Sequence, residues 1–309
     1  MVARMKDQNF QAGAIALAGV VLFSAKSVFA KMAYVYKIDP VSVIYLRMLF
    51  ALPFIAIIGI WYESKHVGEK VHWKDILQIV CISTLGYYIS SLFDFIGLLY
   101  VEAAIERLIL FLYPTMVIIL SAVFMRKKIN FYQILSIVIA YGGLLLAFAD
   151  KLVLKNTHLF WYGVILIIFS SFTYAIFLTI SDGLISRVGS VRFTTIAIFT
   201  MCGCIIIHAL ITGKAAVRGY DSHIYFDCFY MSLLSTVIPI YMFNYAIEKL
   251  GASNVSIISC AGPICTLMYS SALLSEVITF WQVLGTLVVI AGIMIIYLKK
   301  KQNTDLVNT

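Results

Sequence analysis

The amino-acid sequence predicts an all-α membrane protein of ten transmembrane helices, arranged as two inverted five-helix repeats. Three observations lead there. Hydrophobic residues fill 62% of the 309 positions and charged residues only 12%, against roughly a quarter charged in soluble domains. Ten apolar runs of spanning length follow one another with short connections. A shift of 149 residues lays Pro114 on Pro263 and the run I-x-F-x-Q-x-L (129–135) on its counterpart (278–284). Nine of the 48 positions from 101 to 148 are identical under that shift. Apolar stretches match often by chance, so the shared proline and the patterned run persuade more than the count.

The expected spans are 11–33, 41–62, 76–99, 103–125, 131–149, 160–181, 192–212, 226–247, 252–274 and 280–298. Each is an apolar run bounded by charge, Gly or Pro, long enough at about 1.5 Å per residue for a bilayer core. The first contains Lys26 and leads directly into further spans, so it is expected to be a retained helix and not a cleaved leader. The second and third carry Arg47 and Asp94, and the fourth carries Glu106 and Arg107. The fourth also holds Pro114, which cannot donate to the carbonyl of Leu110 and crowds that turn. The fifth closes a first repeat expected over residues 1–150. The second repeat, 151–309, follows with Pro263 in its fourth helix. Connections this short leave no room for a soluble domain.

A charge inside a spanning helix costs roughly 2.5 to 3.5 kcal/mol on insertion scales, so such groups face a partner or a polar interior. Counted from the outer helix ends, Lys26, Arg47, Asp94, Glu106 and Arg107 share one layer roughly 5 to 11 Å deep. Glu106 and Arg107 are adjacent, point about 100° apart and must find different neighbours. Asp94 sits near the end of its helix, where the dipole disfavours it, which calls for a cation such as Lys26 or Arg107. Plainer roles compete: Arg47 snorkelling to the headgroups, Glu106 complementing a helix dipole, Lys26 and Asp94 forming a structural pair.

The second half lacks equivalents. Under the same shift Val255 and Ser256 stand opposite Glu106 and Arg107, and Phe243, beside Asn244, stands opposite Asp94. That half is expected to offer neutral polar contacts from Tyr174, Tyr241, Asn244, Ser256 and Ser259, although such groups also bond between membrane helices for purely structural reasons. Tyr87, Tyr88 and Tyr113 are cavity-lining or packing aromatics. The candidates for solute binding or gating are therefore Lys26, Asp94, Glu106, Arg107, Tyr113, Tyr241, Asn244 and Ser256. Pro114 and Pro263 are the candidate hinges.

The net charge of +8 is spread over loops with no aromatic-interleaved patch, which argues for membrane topology and against nucleic acid. With the N-terminus cytoplasmic, that side collects fourteen Lys and Arg and the other side six. The positive-inside rule thus places both termini inside. Five helices per repeat, an odd number, make the second half enter upside down. The six cysteines lie in or beside apolar segments and read as small hydrophobes, with neither a disulfide nor a metal site implied. Cys202 and Cys204 point about 200° apart on a helix and cannot converge as ligands.

The two-repeat layout, Pro114 and Pro263, the run YAIEKLGAS (245–253), SEVITFWQVLGTLVVIAGI (275–293) and DPVSVIYLRMLF (39–50) with Pro40 and Arg47 resemble the EamA-type members of the drug/metabolite transporter superfamily. The resemblance covers nearly the whole chain and implies the fold and a transport role. The family moves amino acids, nucleotides, drugs and other metabolites, so no substrate follows. One departure stands out: the acidic residue usual after the proline helix is Glu276 in the second half, but Lys127 holds the matching place in the first.

These features point to a secondary carrier in the plasma (inner) membrane. It would move a small metabolite, an amino acid or related zwitterion or anion, by alternating access, driven by a gradient or by exchange. A coupled proton and a homodimer are compatible with it. No cofactor is called for: the nucleotide loop G-x-x-x-x-G-K-[ST] is absent. The alternatives are a membrane-embedded enzyme, for which H-E-x-x-H, G-x-S-x-G and paired aspartates were sought without success, and a channel or receptor without coupled transport. The three buried bases against two acids mildly favour a solute bearing a carboxylate.

Overall fold

A computed structural model describes residues 2–66, 71–113, 115–117, 119–120, 131–147, 149, 157–250, 255, 258–259 and 261–307. Over these the chain is helical throughout, with long apolar segments joined by short turns. In the first half α1 is Val2–Ser24, α2 Lys26–Val35, α3 Pro40–Lys65, α4 Trp73–Ser83, α5 Ser90–Gly97, α6 Ala103–Leu110 and α7 Phe131–Ala147. In the second, α8 is Thr157–Val188, α9 Ser190–Ile211, α10 Ser222–Ser232, α11 Ile238–Leu250, α12 Gly262–Leu274 and α13 Phe280–Val307. Among the described residues six stretches are long and apolar enough to cross a membrane: Phe10–Val35, Pro40–Lys65, Trp73–Gly97, His158–Val188, Ser190–Ile211 and Ser222–Leu250. Ile137–Ala147, Gly262–Leu274 and Phe280–Gly292 are shorter apolar helices. Large apolar side chains such as Ile57, Leu145, Ile165 and Leu210 point outward, where acyl chains would cover them.

The ends of the helices are fixed by local chemistry. Asp39 caps α3, its carboxylate accepting from the amides of Val41 and Ser42 while Pro40 fills the first helical turn, where a missing N–H costs nothing. α8 and α9 are joined by Gly189 alone, at φ 87°, a left-handed conformation that a side chain would strain. Thr279 and Gln282 cap α13 reciprocally, each side chain accepting from the other's amide.

Four kinds of irregularity interrupt the spans. The first is at Ala25, between α1 and α2. In the expected span 103–125, where Pro114 was read as a break, α6 ends at Leu110, four residues before that proline, and Phe111 and Leu112 form a turn before helix resumes. Pro114 itself lies outside the described residues. On the second-half side the interruption falls at Ala261, two residues before Pro263, so that Pro263 sits in the first turn of α12 and not in a helix interior. Finally, Thr84–Ile89 and Leu233–Val237 are π-helical. Their starts lie 149 residues apart, the same offset as the two prolines, so a wide turn recurs at the same place in both halves. Such turns concentrate at functional sites.

α7 and α13, the last helices of the two halves, pack lengthwise through small residues. A Cβ on Gly285 would come 2.5 Å from the Gly143 carbonyl oxygen and 2.6 Å from the Ala147 amide nitrogen. Polar pairs at the helix ends respect the alternating topology. Asp39–Lys214 at 3.1 Å and Gln282–Glu102 at 2.9 Å join ends expected on one side. Glu63–Arg192, Asp75–Arg187 and Ser190–Glu248 join ends expected on the other.

Candidate functional site

The buried charges of the first half converge. Lys26 Nζ lies 2.5 Å from Asp94 Oδ2 and 3.7 Å from Glu106 Oε1, so two carboxylates share one ammonium. Glu106 is 0% exposed, Asp94 and Arg47 2%, Lys26 7% and Arg107 8%, which puts all five beyond the reach of ordinary solvation. Local structure explains why they need one another. Lys26 opens α2, where the helix dipole repels a cation, and Asp94 lies in the last turn of α5, where it repels an anion. Two misplaced charges are stabilised by pairing. Glu106, in the first turn of α6, is well placed for its own dipole.

The two arginines are held by rings. Arg107 Cζ stands 4.8 Å from the centroid of Phe23, and Arg47 Cζ 4.8 Å from that of Phe95. Lys26 lies 5.5 and 5.6 Å from the same two rings. Phe23 and Phe95 thus bind the layer together through their negative faces. Phe23 in turn meets Phe243 edge-on at 5.9 Å, so the second-half counterpart of Asp94 braces the ring beneath the charges. Arg47 Nη2 reaches Ser91 Oγ at 3.5 Å. Several polar atoms are buried without a hydrogen-bond partner among the described residues: Asp94 Oδ1, both oxygens of Glu106, and Nε of Arg47 and of Arg107.

Around this layer carbonyls at the interrupted helices accept from hydroxyls of the other half, Leu22 O and Ile109 O in addition to the amides of Ala25 and Leu112. Ser235 donates to Leu22 O at 3.1 Å and Thr266 to Ser24 O at 3.1 Å, both at the Ala25 break. Ser171 donates to Ile109 O at 3.1 Å and Leu110 O at 3.2 Å. Pro114 was expected to free the Leu110 carbonyl, and a serine of α8 is what satisfies it. Unpaired backbone groups at membrane depth are costly, and these clasps are how the breaks persist. They also place the breaks at Ala25 and after Leu110 at the junction of the two halves.

Not every expected residue joins the site. Tyr241 bonds Thr195 at 2.8 Å and Asn244 bonds Thr194 at 2.5 Å, a separate polar seam between α11 and α9. Three residues apart on one helix, both face α9 instead of the charges. Tyr113 meets Phe111 at 5.9 Å and Tyr174 at 5.4 Å, and Tyr174 stacks on Phe177 at 5.9 Å, forming an aromatic wall beside the layer. Ser256 lies outside the described residues. Sequence reading missed Phe23, Phe95, Ser171, Ser235 and Thr266. Hydroxyls and rings are common in membrane helices, and only their three-dimensional neighbours single these out.

Toward the expected outer face, Glu276 Oε1 accepts from the amide of Ala103, the first residue of α6, at 3.3 Å. Burial pushes the Glu276 carboxyl above the usual range; the Ala103 amide opposes this, Glu102 adds to it, and Lys31 and Ser270 oppose it. On the other face Arg192 grips Glu63 with two hydrogen bonds of 2.6 and 2.9 Å. Among the described residues no group of three or more His, Cys, Asp or Glu is placed to hold a metal ion.

Comparison with known proteins supplies the family. The EamA-like transporter family model matches twice, over residues 12–149 and 161–298. The chain is 29% identical over 276 residues to the Bacillus subtilis (strain 168) protein named uncharacterized transporter YcbK, covering 87% of each chain. It is 26% identical over 286 residues to an uncharacterized transporter of Archaeoglobus fulgidus, covering 93% of this chain and 99% of that one. The uncharacterized inner membrane transporter YicL of Salmonella typhimurium is 22% identical over 295 residues, with 93% and 95% covered. A solved crystal structure shares the fold, with a TM-score of 0.68 at 11% identity, over 94% of this chain and 98% of that one. With two matches that together span most of its length, an all-helical fold and duplicated halves, the chain belongs to the EamA-like transporter family and is a multi-pass membrane transporter.

Proposed function

We propose that this transporter is a secondary carrier for a small zwitterionic or anionic metabolite, working by alternating access about the charge layer at the junction of its two five-helix halves, residues 1–150 and 151–309. The observation that carries this reading is the coincidence of two features. Five charges sit buried together near the breaks that follow α1 and α6, and carbonyls at those breaks accept from hydroxyls of the opposite half. Charges cost too much at that depth to be kept for packing alone, and breaks in two inverted halves mark the place where a carrier binds and moves its solute. Lys26, Asp94, Glu106 and Arg107 would line that place, with Tyr113 beside them. The moving elements would be the breaks at Ala25, Phe111 and Ala261. Pro114, next to one break, and Pro263, in the first turn after another, would shape them. Ser256, Tyr241 and Asn244 would serve the second half.

Two carboxylates on one ammonium also offer a place for a coupled proton. The plasma (inner) membrane, with both termini in the cytoplasm, fits the count of fourteen bases against six. Membership in a transporter family sets the membrane-enzyme alternative aside. Reconstitution into vesicles tests the carrier reading: solute uptake is expected to saturate and to accelerate when the same solute is loaded on the far side. Flux that neither saturates nor shows this acceleration would make the protein a channel.

A further inference from the structure

We infer that Glu276 is a proton-binding site on the face expected to be outer: it takes up one proton as the ends of the two halves close on each other there, and gives it back when they part. This rests on the alternating-access reading above and adds a titrating step to it. Segment 275–282, the link from α12 into α13 in the second half, grips the start of α6 in the first half twice. Glu276 Oε1 accepts from the Ala103 amide at 3.3 Å, and Gln282 Nε2 donates to Glu102 Oε2 at 2.9 Å. The cap of α6 therefore comes from the opposite half. Glu102, in the N-cap position, gives its own helix no side-chain cap, so an amide that has no partner within the helix depends on Glu276. The helix held in this way carries Glu106 in its first turn, and Glu106 in turn reaches Lys26. Making or breaking the contact at Glu276 thus bears on the charge layer.

The carboxyl favours its neutral form when the contact is made. One oxygen accepts from Ala103; the other, Oε2, is buried with no hydrogen-bond partner among the described residues. An ionised carboxylate with one oxygen deprived of donors is costly, and a proton on that oxygen removes the charge while leaving Oε1 free to accept. The surroundings do not make up the deficit. Of the charged groups facing it, Glu102 at the start of α6 repels and Lys31 on α2 attracts, while Ser270 of α12 and Gln282 of α13 are neutral. Burial is the largest influence and holds the carboxyl above the usual range; opening to water would return it there. The closed arrangement thus binds the proton more tightly than the open one, and by reciprocity the proton favours closure. The first half cannot build the same device. Under the 149-residue shift Glu276 falls on Lys127, whose ammonium only donates and cannot accept from an amide. Since inverted halves would put that counterpart on the cytoplasmic face, proton uptake of this kind is confined to the outer one.

The test uses the purified full-length protein in lipid nanodiscs. Hydrogen–deuterium exchange of the first turn of α6 is followed by mass spectrometry as pH is raised from the acid side, corrected for the intrinsic pH dependence of amide exchange. The parent is expected to exchange faster as pH rises through the raised value, by up to about tenfold per pH unit, the limit for one linked proton. Glu276→Gln keeps an oxygen that accepts from Ala103 but cannot ionise. It should exchange slowly at every pH and match the parent below the ordinary carboxylate pKa of about 4.3, where both are neutral. Glu276→Ala removes the acceptor and should exchange fast throughout. If Glu276→Ala does not fold, the comparison of parent with Glu276→Gln still decides. Exchange in the parent that is flat with pH, a Glu276→Gln variant with the parent's slope, or a Glu276→Ala variant as slow as Glu276→Gln would each overturn the site. Saturable, trans-accelerated flux would leave the carrier reading standing in those cases.

Discussion

Replacing Lys26 with methionine removes the one cation that two buried carboxylates share. Nζ lies 2.5 Å from Asp94 and 3.7 Å from Glu106. At an effective dielectric of about 20, those separations correspond to roughly 7 and 4 kcal/mol of attraction. Much of this is consumed by the cost of holding three charges away from water. What survives as the penalty for deleting one partner of a buried pair is about 3 to 5 kcal/mol, because the remaining carboxylates stay buried without their counter-ion. Each kcal/mol lowers the melting temperature of a large domain by about 2 to 4 °C, so Lys26→Met is expected to melt roughly 6 to 20 °C lower in nanodiscs. The double variant Lys26→Met with Asp94→Asn removes one charge of each sign. It should be more stable than the two single losses added together, by well over the roughly 0.5 kcal/mol within which independent sites add. In vesicles matched for folded protein, transport by either single variant should fall about tenfold or more, or about 1.4 kcal/mol in the barrier. A Lys26→Met protein that melts with the parent, together with strict additivity in the double variant, would refute the shared pairing. Loss of transport in proportion to loss of folded protein would make the layer structural.

Three further outcomes are expected. Ser171→Ala should cost about 1 to 3 kcal/mol by stranding the Leu110 carbonyl, the Ile109 carbonyl keeping the Leu112 amide, whereas Pro263→Ala, in the first turn of α12, should change stability by less than about 1 kcal/mol; exchange of bound solute should slow more in the serine variant, and the reverse order would place the hinge at the proline. Glu276 has a folded-state pKa raised by burial, so the folded protein binds its proton more tightly than the unfolded chain, and its contribution to stability is complete below the ordinary carboxylate pKa of about 4.3 and lost as pH rises through the raised value. Melting curves across that window should therefore show a decline that Glu276→Gln abolishes, and an identical pH slope in the variant would disprove it. Cysteines introduced at Lys128 and Lys300 should react only from the cytoplasm and one at Lys155 only from outside; labelling of Lys128 and Lys155 from one side would break the ten-helix count.

The membrane fold was legible in the sequence because its cause is compositional. With so few charges, long apolar runs have no soluble alternative, and hydropathy alone marks where they begin and end. The duplication was legible because identities at a fixed offset survive in order, Pro114 with Pro263 and Gln133 with Gln282. So was the list of charges that needed partners, since any Lys, Asp, Glu or Arg in a span carries a cost visible without coordinates. Pairing was not. That Asp94 takes Lys26 and leaves Arg107 to Phe23 depends on helix rotation, which no spacing within one span reports. Nor could the sequence locate every break. Proline pointed to Leu110, where α6 does end, but who satisfies the carbonyls at the breaks is decided by neighbours, and Ser171, Ser235 and Thr266 come from the other half of the molecule. Ala25 breaks with no proline at all. The sequence by itself determined the class of structure and the groups whose burial must be compensated. The tertiary structure decided who compensates whom, because that depends on contacts between residues as far apart in the chain as Ser24 and Thr266.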